Sequence, residues 1–311
     1  MSDPKPNAST MTRAGDPVSL VCSAEFEYIA IVGTENHSYD PANKAMFMHS
    51  ALRKLKEYPN TSYSKKVVLI FNDGYSDALM KAFKHACLAK GVLPEDFHAI
   101  STRDELISYI SGIEYRQIKQ LDIFAHGHIG ELWFGLTGDD VLHGQMQGNT
   151  SMDMNIDQVK ALKPSQFSIT ANIYIYACRV GNGNGSSISS KQNSSLAQAM
   201  ANATKTNVYA FMRRSNYDGV LGDAEMRADY YRYTHNWRQL KHPIDAATAP
   251  PMTEAQVERA KAMKEAGSRR KPLGEDKAIF DPEGALMDVR AGDTPNDVPA
   301  NLFLFKPAGS K

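Results

Sequence analysis

Near the middle of the chain, two short apolar segments each end on a reactive side chain. Leu121-Asp122-Ile123-Phe124-Ala125 runs into His126-Gly127, and Ala171-Asn172-Ile173-Tyr174-Ile175-Tyr176-Ala177 runs into Cys178-Arg179. A thiol whose unperturbed pKa is about 8.5 is mostly protonated at neutral pH and becomes an efficient nucleophile when a neighbouring imidazole stabilises the thiolate. A Cys and a His at neighbouring strand ends therefore predict a thiolate–imidazole pair, with Cys178 as nucleophile and His126 as general base. Gly127 has no Cβ, so its backbone N–H can approach a substrate carbonyl closely. With the N–H of Cys178 it predicts an oxyanion hole.

These residues need a scaffold that brings two strand ends side by side, and the flanking sequence supplies one. Continuous apolar runs at 28–33, 67–71, 97–100, 121–125, 171–177 and 207–212 read as buried strands, several closed by turn residues such as Asn72-Asp73-Gly74. Between them lie helical patterns at about 42–57, 76–90, 103–113, 156–162 and 195–204. Ser76 and Thr102 stand at N-cap positions, and Glu105 completes a capping box. Glu131–Gly135 reads as a short hairpin arm. Strands that alternate with helices, each strand a continuous apolar run, predict an α/β protein. Its core is a doubly wound, mostly parallel six-stranded sheet with helices on both faces, and the carboxyl ends of such strands are where open α/β sheets place their chemistry. The predicted organisation is a flexible leader over 1–24, one domain over 25–240, and a C-terminal arm over 241–311. The arm holds eight of the 15 prolines, one helix from about Thr253 to Ala266, and a strand-like patch at Asn301–Phe305 expected to dock on the body.

Composition narrows the function classes. Lys+Arg and Asp+Glu each number 35, so no net basic charge points to nucleic acid or an anionic membrane. Three cysteines (Cys22, Cys87 and Cys178) without close pairs make neither a disulfide framework nor a zinc site, and fit folding in a reducing compartment. No segment approaches the roughly 18 apolar residues of a membrane span, and the polar amino terminus lacks a signal-peptide core. The expectation is a cytoplasmic protein, or one exported without a cleaved signal.

The strand ending in His126-Gly127 and the later strand ending in Ala177-Cys178 resemble the caspase-like cysteine peptidases. That superfamily includes caspases, metacaspases, legumains, separases, gingipains and the self-processing domains of large bacterial toxins. Tyr176-Ala177-Cys178-Arg179 is similar to the caspase Gln-Ala-Cys-Arg-Gly signature, and the His precedes it at the family spacing. Tyr176 stands where caspases have Gln, and Val180 displaces the Gly to 181, so the match is to the superfamily and not to caspases proper. The resemblance covers roughly 25–215. It implies an endopeptidase acting on a protein substrate through an acyl-enzyme on Cys178, without a cofactor. It also implies control by an activating partner or by self-processing, and is compatible with a bacterial effector or conflict protease. It places the pocket for the residue before the scissile bond in the loops at about 179–195 and 212–222. There Arg213 or Arg214 would attract an acidic side chain and Asp218 a basic one, although charges in a loop are usually only solvated.

Other patterns compete with this reading. Gly181-Asn182-Gly183-Asn184-Gly185 follows a strand but lacks the spacing of a dinucleotide loop, and is expected to be a mobile loop beside the nucleophile. Asn72-Asp73-Gly74 and Glu35-Asn36-His37 also end strands; they either line the same crevice or simply make turns. His126 and His128 share a strand face, but with only Glu131 or Asp139 nearby no metal site is expected. Two alternatives remain open: a caspase-like binding or scaffold protein without chemistry, and a nucleotide-binding α/β protein.

Overall fold

The computed structural model describes residues 26–36, 41–114, 116–137, 151–217, 228–229, 232–233, 248–266, 280–285 and 287–309. Among the described residues, fourteen strands and seven α-helices follow in chain order. They begin with β1 (Phe26–Val32), β2 (Thr34–Asn36), α1 (Pro41–Lys44), α2 (Met46–Glu57), β3 (Ser64–Phe71), α3 (Asp77–Leu88), β4 (Phe97–Ile100) and α4 (Arg103–Ser111). Next come β5 (Gln117–Phe124), β6 (His126–His128), β7 (Glu131–Trp133), β8 (Gly135–Thr137), β9 (Asp153–Asn155) and β10 (Phe167–Ile175). The last are α5 (Ile188–Asn193), α6 (Leu196–Thr204), β11 (Asn207–Phe211), β12 (Ser215–Asn216), α7 (Glu254–Ala266), β13 (Arg290–Ala291) and β14 (Leu302–Phe305).

The central sheet has the order β14-β11-β10-β5-β1-β3-β4. Of its six neighbouring pairs, the five inner ones are parallel, and at the edge β14 runs antiparallel to β11 with Val208 opposite Phe305. All six strands expected from the apolar runs are present, but the sheet has seven members. The extra one is the Leu302–Phe305 segment of the arm, which satisfies the backbone groups of β11 that would otherwise form an open edge.

Alternation along each strand sends side chains to two separate cores. Ile29 and Ile31 of β1 join Leu106 and Ile110 of α4 and Leu196, Met200 and Ala201 of α6 on one face. Ala30 and Val32 join Leu52 and Leu55 of α2 and Leu79 and Phe83 of α3 on the other. Strands buried on both faces explain the unbroken apolar runs of the sequence. The two predicted N-caps form: Ser76 Oγ accepts from Leu79 N and Thr102 Oγ1 from Glu105 N; Ser195 Oγ, accepting from Gln198 N, caps a third helix. One helix expectation fails. Residues 156–162 form only a 3₁₀ turn at Gln158–Ala161, followed by another at Pro164–Gln166. Pro164 has no N–H to extend a helix.

The described part of the arm lies against the body. Asp281 N donates to His49 Nε2 of α2 at 2.9 Å, and Ala285 N donates to His49 O at 2.8 Å. Burial pushes the His49 imidazole down to about 3, which keeps it neutral and able to accept. No helix among the described residues is long and apolar enough to cross a membrane.

Candidate active site

Strand register sets the segments that lead to His126 and Cys178 side by side. β10 and β5 are parallel neighbours with Ile175 opposite Ile123, and Tyr176 N donates to Ile123 O at 2.8 Å. Three residues further along each chain stand His126 and Cys178. Gly127 packs directly on this junction: a Cβ there would lie 2.8 Å from Cys178 O, 2.9 Å from Ala177 Cβ and 2.7 Å from Val180 Cγ2. Only glycine fits so close an approach. The hairpin predicted at 131–135 is larger than expected, because β7 pairs antiparallel with β6, setting His126 opposite Trp133, and with β9 on its other side.

The imidazole is held from the next strand. His126 Nε2 lies 2.6 Å from Glu35 Oε2, with the Glu35 side chain fully buried and that of His126 13% exposed. Glu35 reaches this position because β1 continues past Gly33, whose N–H donates to Phe124 O, into β2, where Thr34 N donates to Phe134 O. Lys44 Nζ donates to the Glu35 carbonyl, and Tyr75 Oη donates to Gly33 O at 2.9 Å. The Phe47 ring meets the His126 ring edge to face at 5.0 Å and Tyr217 at 5.1 Å. A carboxylate at Nε2 favours the tautomer that donates from Nε2 and fixes the orientation of the ring. Glu35 is thus the buried residue that orients the imidazole. In the sequence it was one of two acceptable readings of a strand-end Glu-Asn-His, and only the β1–β5 register separates them.

The Cys178 sulfur has Ser215 as its partner. Ser215 N donates to Sγ at 3.3 Å, and the Ser215 hydroxyl lies 3.2 Å from it. Among the described residues the Cys178 peptide N–H makes no hydrogen bond. The loop after Cys178 turns sharply: Arg179 has φ 56°, its N–H donates to Arg213 O at 2.9 Å, and Asn182 N donates to Arg179 O at 2.9 Å.

The three residues expected to set substrate preference separate. Arg213 holds the arm: Nε donates to Val298 O at 2.8 Å and the terminal nitrogens to Asn296 O and Asp293 O. Arg214 binds the arm through its backbone, N to Thr294 O and O to Gly292 N, and its side chain is exposed. Asp218 lies outside the described residues, as does Asp139. Next to these contacts, Ser215 and Asn216 pair with Ala291 and Arg290, so the arm braces the segment that touches the sulfur. His128 stacks on Trp133, whose Nε1 donates to Glu131 at 3.0 Å, and burial with nearby Arg179 keeps the His128 imidazole below its usual range. No group of three or more His, Cys, Asp or Glu side chains among the described residues could hold a metal ion. The chain matches no protein-family model, no curated protein and no solved structure.

Proposed function

We propose that this chain is a caspase-like cysteine endopeptidase with a Glu35–His126–Cys178 triad. The observation that carries the reading is the buried Glu35 carboxylate 2.6 Å from His126 Nε2, with Cys178 following the strand that pairs in parallel with the one leading to His126. A nucleophile, a base and a group that orients the base form the constellation that covalent acyl transfer requires. In this mechanism His126 takes the thiol proton and Glu35 stabilises the imidazolium. The Ser215 N–H and hydroxyl stabilise the waiting thiolate. Attack on a peptide carbonyl forms the C–S bond while the carbonyl oxygen becomes an oxyanion, bound by the N–H groups of Cys178 and Gly127. His126 then gives its proton to the departing amine as the C–N bond breaks. It next activates the water that hydrolyses the thioester, returning the thiol. The substrate is a protein, and no cofactor takes part in these steps.

The test is cleavage of an unfolded protein such as casein, read as new amino termini by mass spectrometry. The wild type should produce them, and Cys178→Ala and His126→Ala should not. Termini generated equally by the Cys178→Ala protein would contradict the assignment.

A further inference from the structure

Arg179 is in an uncommon position twice over. It follows the nucleophile directly, and its φ of 56° places a long side chain in the left-handed region. That conformation is unfavourable for a residue other than Gly, Asn or Asp. Both backbone groups are fixed, by Arg213 O and Asn182 N, so the strain is locked in by the turn. The guanidinium is nonetheless unused by the fold. Its Nε is buried with no hydrogen-bond partner, and the residue makes no ion pair among the described residues. It lies near His128, and the carboxylate there, Glu131, is bonded to Trp133 Nε1. By contrast, the neighbouring Arg213 is satisfied by three arm carbonyls. A half-buried cation lacking a partner is expensive to maintain unless a ligand supplies the counter-charge.

We infer that Arg179 forms an anion subsite beside Cys178 that receives a carboxylate of the polypeptide being cut. The guanidinium presents a planar fork suited to bidentate carboxylate binding. The subsite rests on Cys178 being the reactive thiol, and it adds a substrate class to that reading.

Iodoacetate and iodoacetamide test it, since they share one alkylation chemistry and differ in the carboxylate. The measurement is the ratio of their second-order rate constants at Cys178, relative to the same ratio for N-acetylcysteine. A single cation at close range in a partly screened site should raise the relative ratio ~10-fold. Arg179→Gln should bring it to the N-acetylcysteine value, Arg179→Lys should retain most of it, and 0.5 M KCl should reduce it in the wild type. A wild-type ratio equal to that of N-acetylcysteine, or a ratio unchanged in Arg179→Gln, overturns the subsite. If both reagents react slowly at Cys178, the peptidase reading fails instead.

Protection from iodoacetamide then identifies the source of the carboxylate. One peptide carries acidic side chains and an amidated end, another neutral side chains and a free end, and a third is neutral and amidated. Slower labelling with the first alone assigns an acidic side chain, and with the second alone a C-terminal carboxylate. No protection beyond that of the third overturns the substrate assignment.

Discussion

Asp122 offers a quantitative check on the sheet that carries the site. It lies on β5, two residues before Phe124, and is fully buried beneath α2. Its Oδ2 accepts from Tyr58 Oη at 2.7 Å and Gln120 Nε2 at 2.8 Å, while Oδ1 has no partner. Burial pushes the carboxyl from 3.8 up to about 6, against the opposing pull of the two hydrogen bonds and of Lys54. The folded state therefore favours the protonated acid. This stabilisation is fully present below the unfolded value near pH 4 and is lost as pH rises through about 6. The gap between the two values corresponds to about 3 kcal/mol once the group is ionised in both states. Asp122→Asn keeps the shape and an acceptor for Tyr58 and Gln120 but removes the titration. The expected result, from urea unfolding followed by circular dichroism in a Cys178→Ala background, is a pH-dependent difference. Relative to the variant, the parent protein should lose about 2 kcal/mol between pH 4 and pH 7.5, with most of the loss below pH 6. A stability difference that stays constant over that range, or moves in the opposite direction, refutes the burial argument.

Three substitutions probe the site itself. Glu35→Gln retains the size of the side chain but withdraws the charge that stabilises imidazolium. Losing a charge-assisted hydrogen bond worth about 2 kcal/mol should slow alkylation of Cys178 at pH 6 by roughly 30-fold; an unchanged rate would remove Glu35 from the triad. Ser215→Ala deletes one contact to the sulfur and should slow the same reaction by roughly 5-fold near neutral pH. Ser215→Thr should restore the rate, and a defect of equal size in both variants would point to packing. Gly127→Ala drives a methyl to within 3 Å of Val180, Cys178 O and Ala177. It should lower stability by about 1–3 kcal/mol, measured by thermal unfolding; an unaltered melting temperature would contradict the close junction of the two strand ends.

The sheet was legible where burial on both faces leaves an apolar run, as in Val67–Phe71 and Ala171–Ala177. It was not legible where pairing is long-range. The Leu302–Phe305 segment announces a strand, but nothing local tells that it joins β11 antiparallel and completes a seventh position. The short segment at 156–162 has helical spacing, yet Pro164 closes it and it forms only 3₁₀ turns. At the site, His126 and Cys178 stood out because each ends its own strand. Glu35 did not, because a strand-end carboxylate reads first as part of a turn until β1 is placed beside β5. Arg213 drew notice as a loop cation, whereas its hydrogen bonds go to carbonyls of 293–298, some 80 residues away in the chain. A hydrogen bond across that separation leaves no periodic trace in sequence.

Selective alkylation of native protein tests the central claim most directly. Iodoacetamide is added at pH 6, where an ordinary thiol is only about 0.3% ionised, and adducts are mapped at all three cysteines. Cys87 is buried and its thiol is pushed up by burial, so it serves as the inert control, with Cys22 outside the described residues as a second reference. The account predicts that Cys178 reacts roughly 100-fold faster than either, and that His126→Ala abolishes most of the advantage. Equal, slow labelling of all three cysteines, or fast labelling of Cys178 that persists without His126, would contradict it.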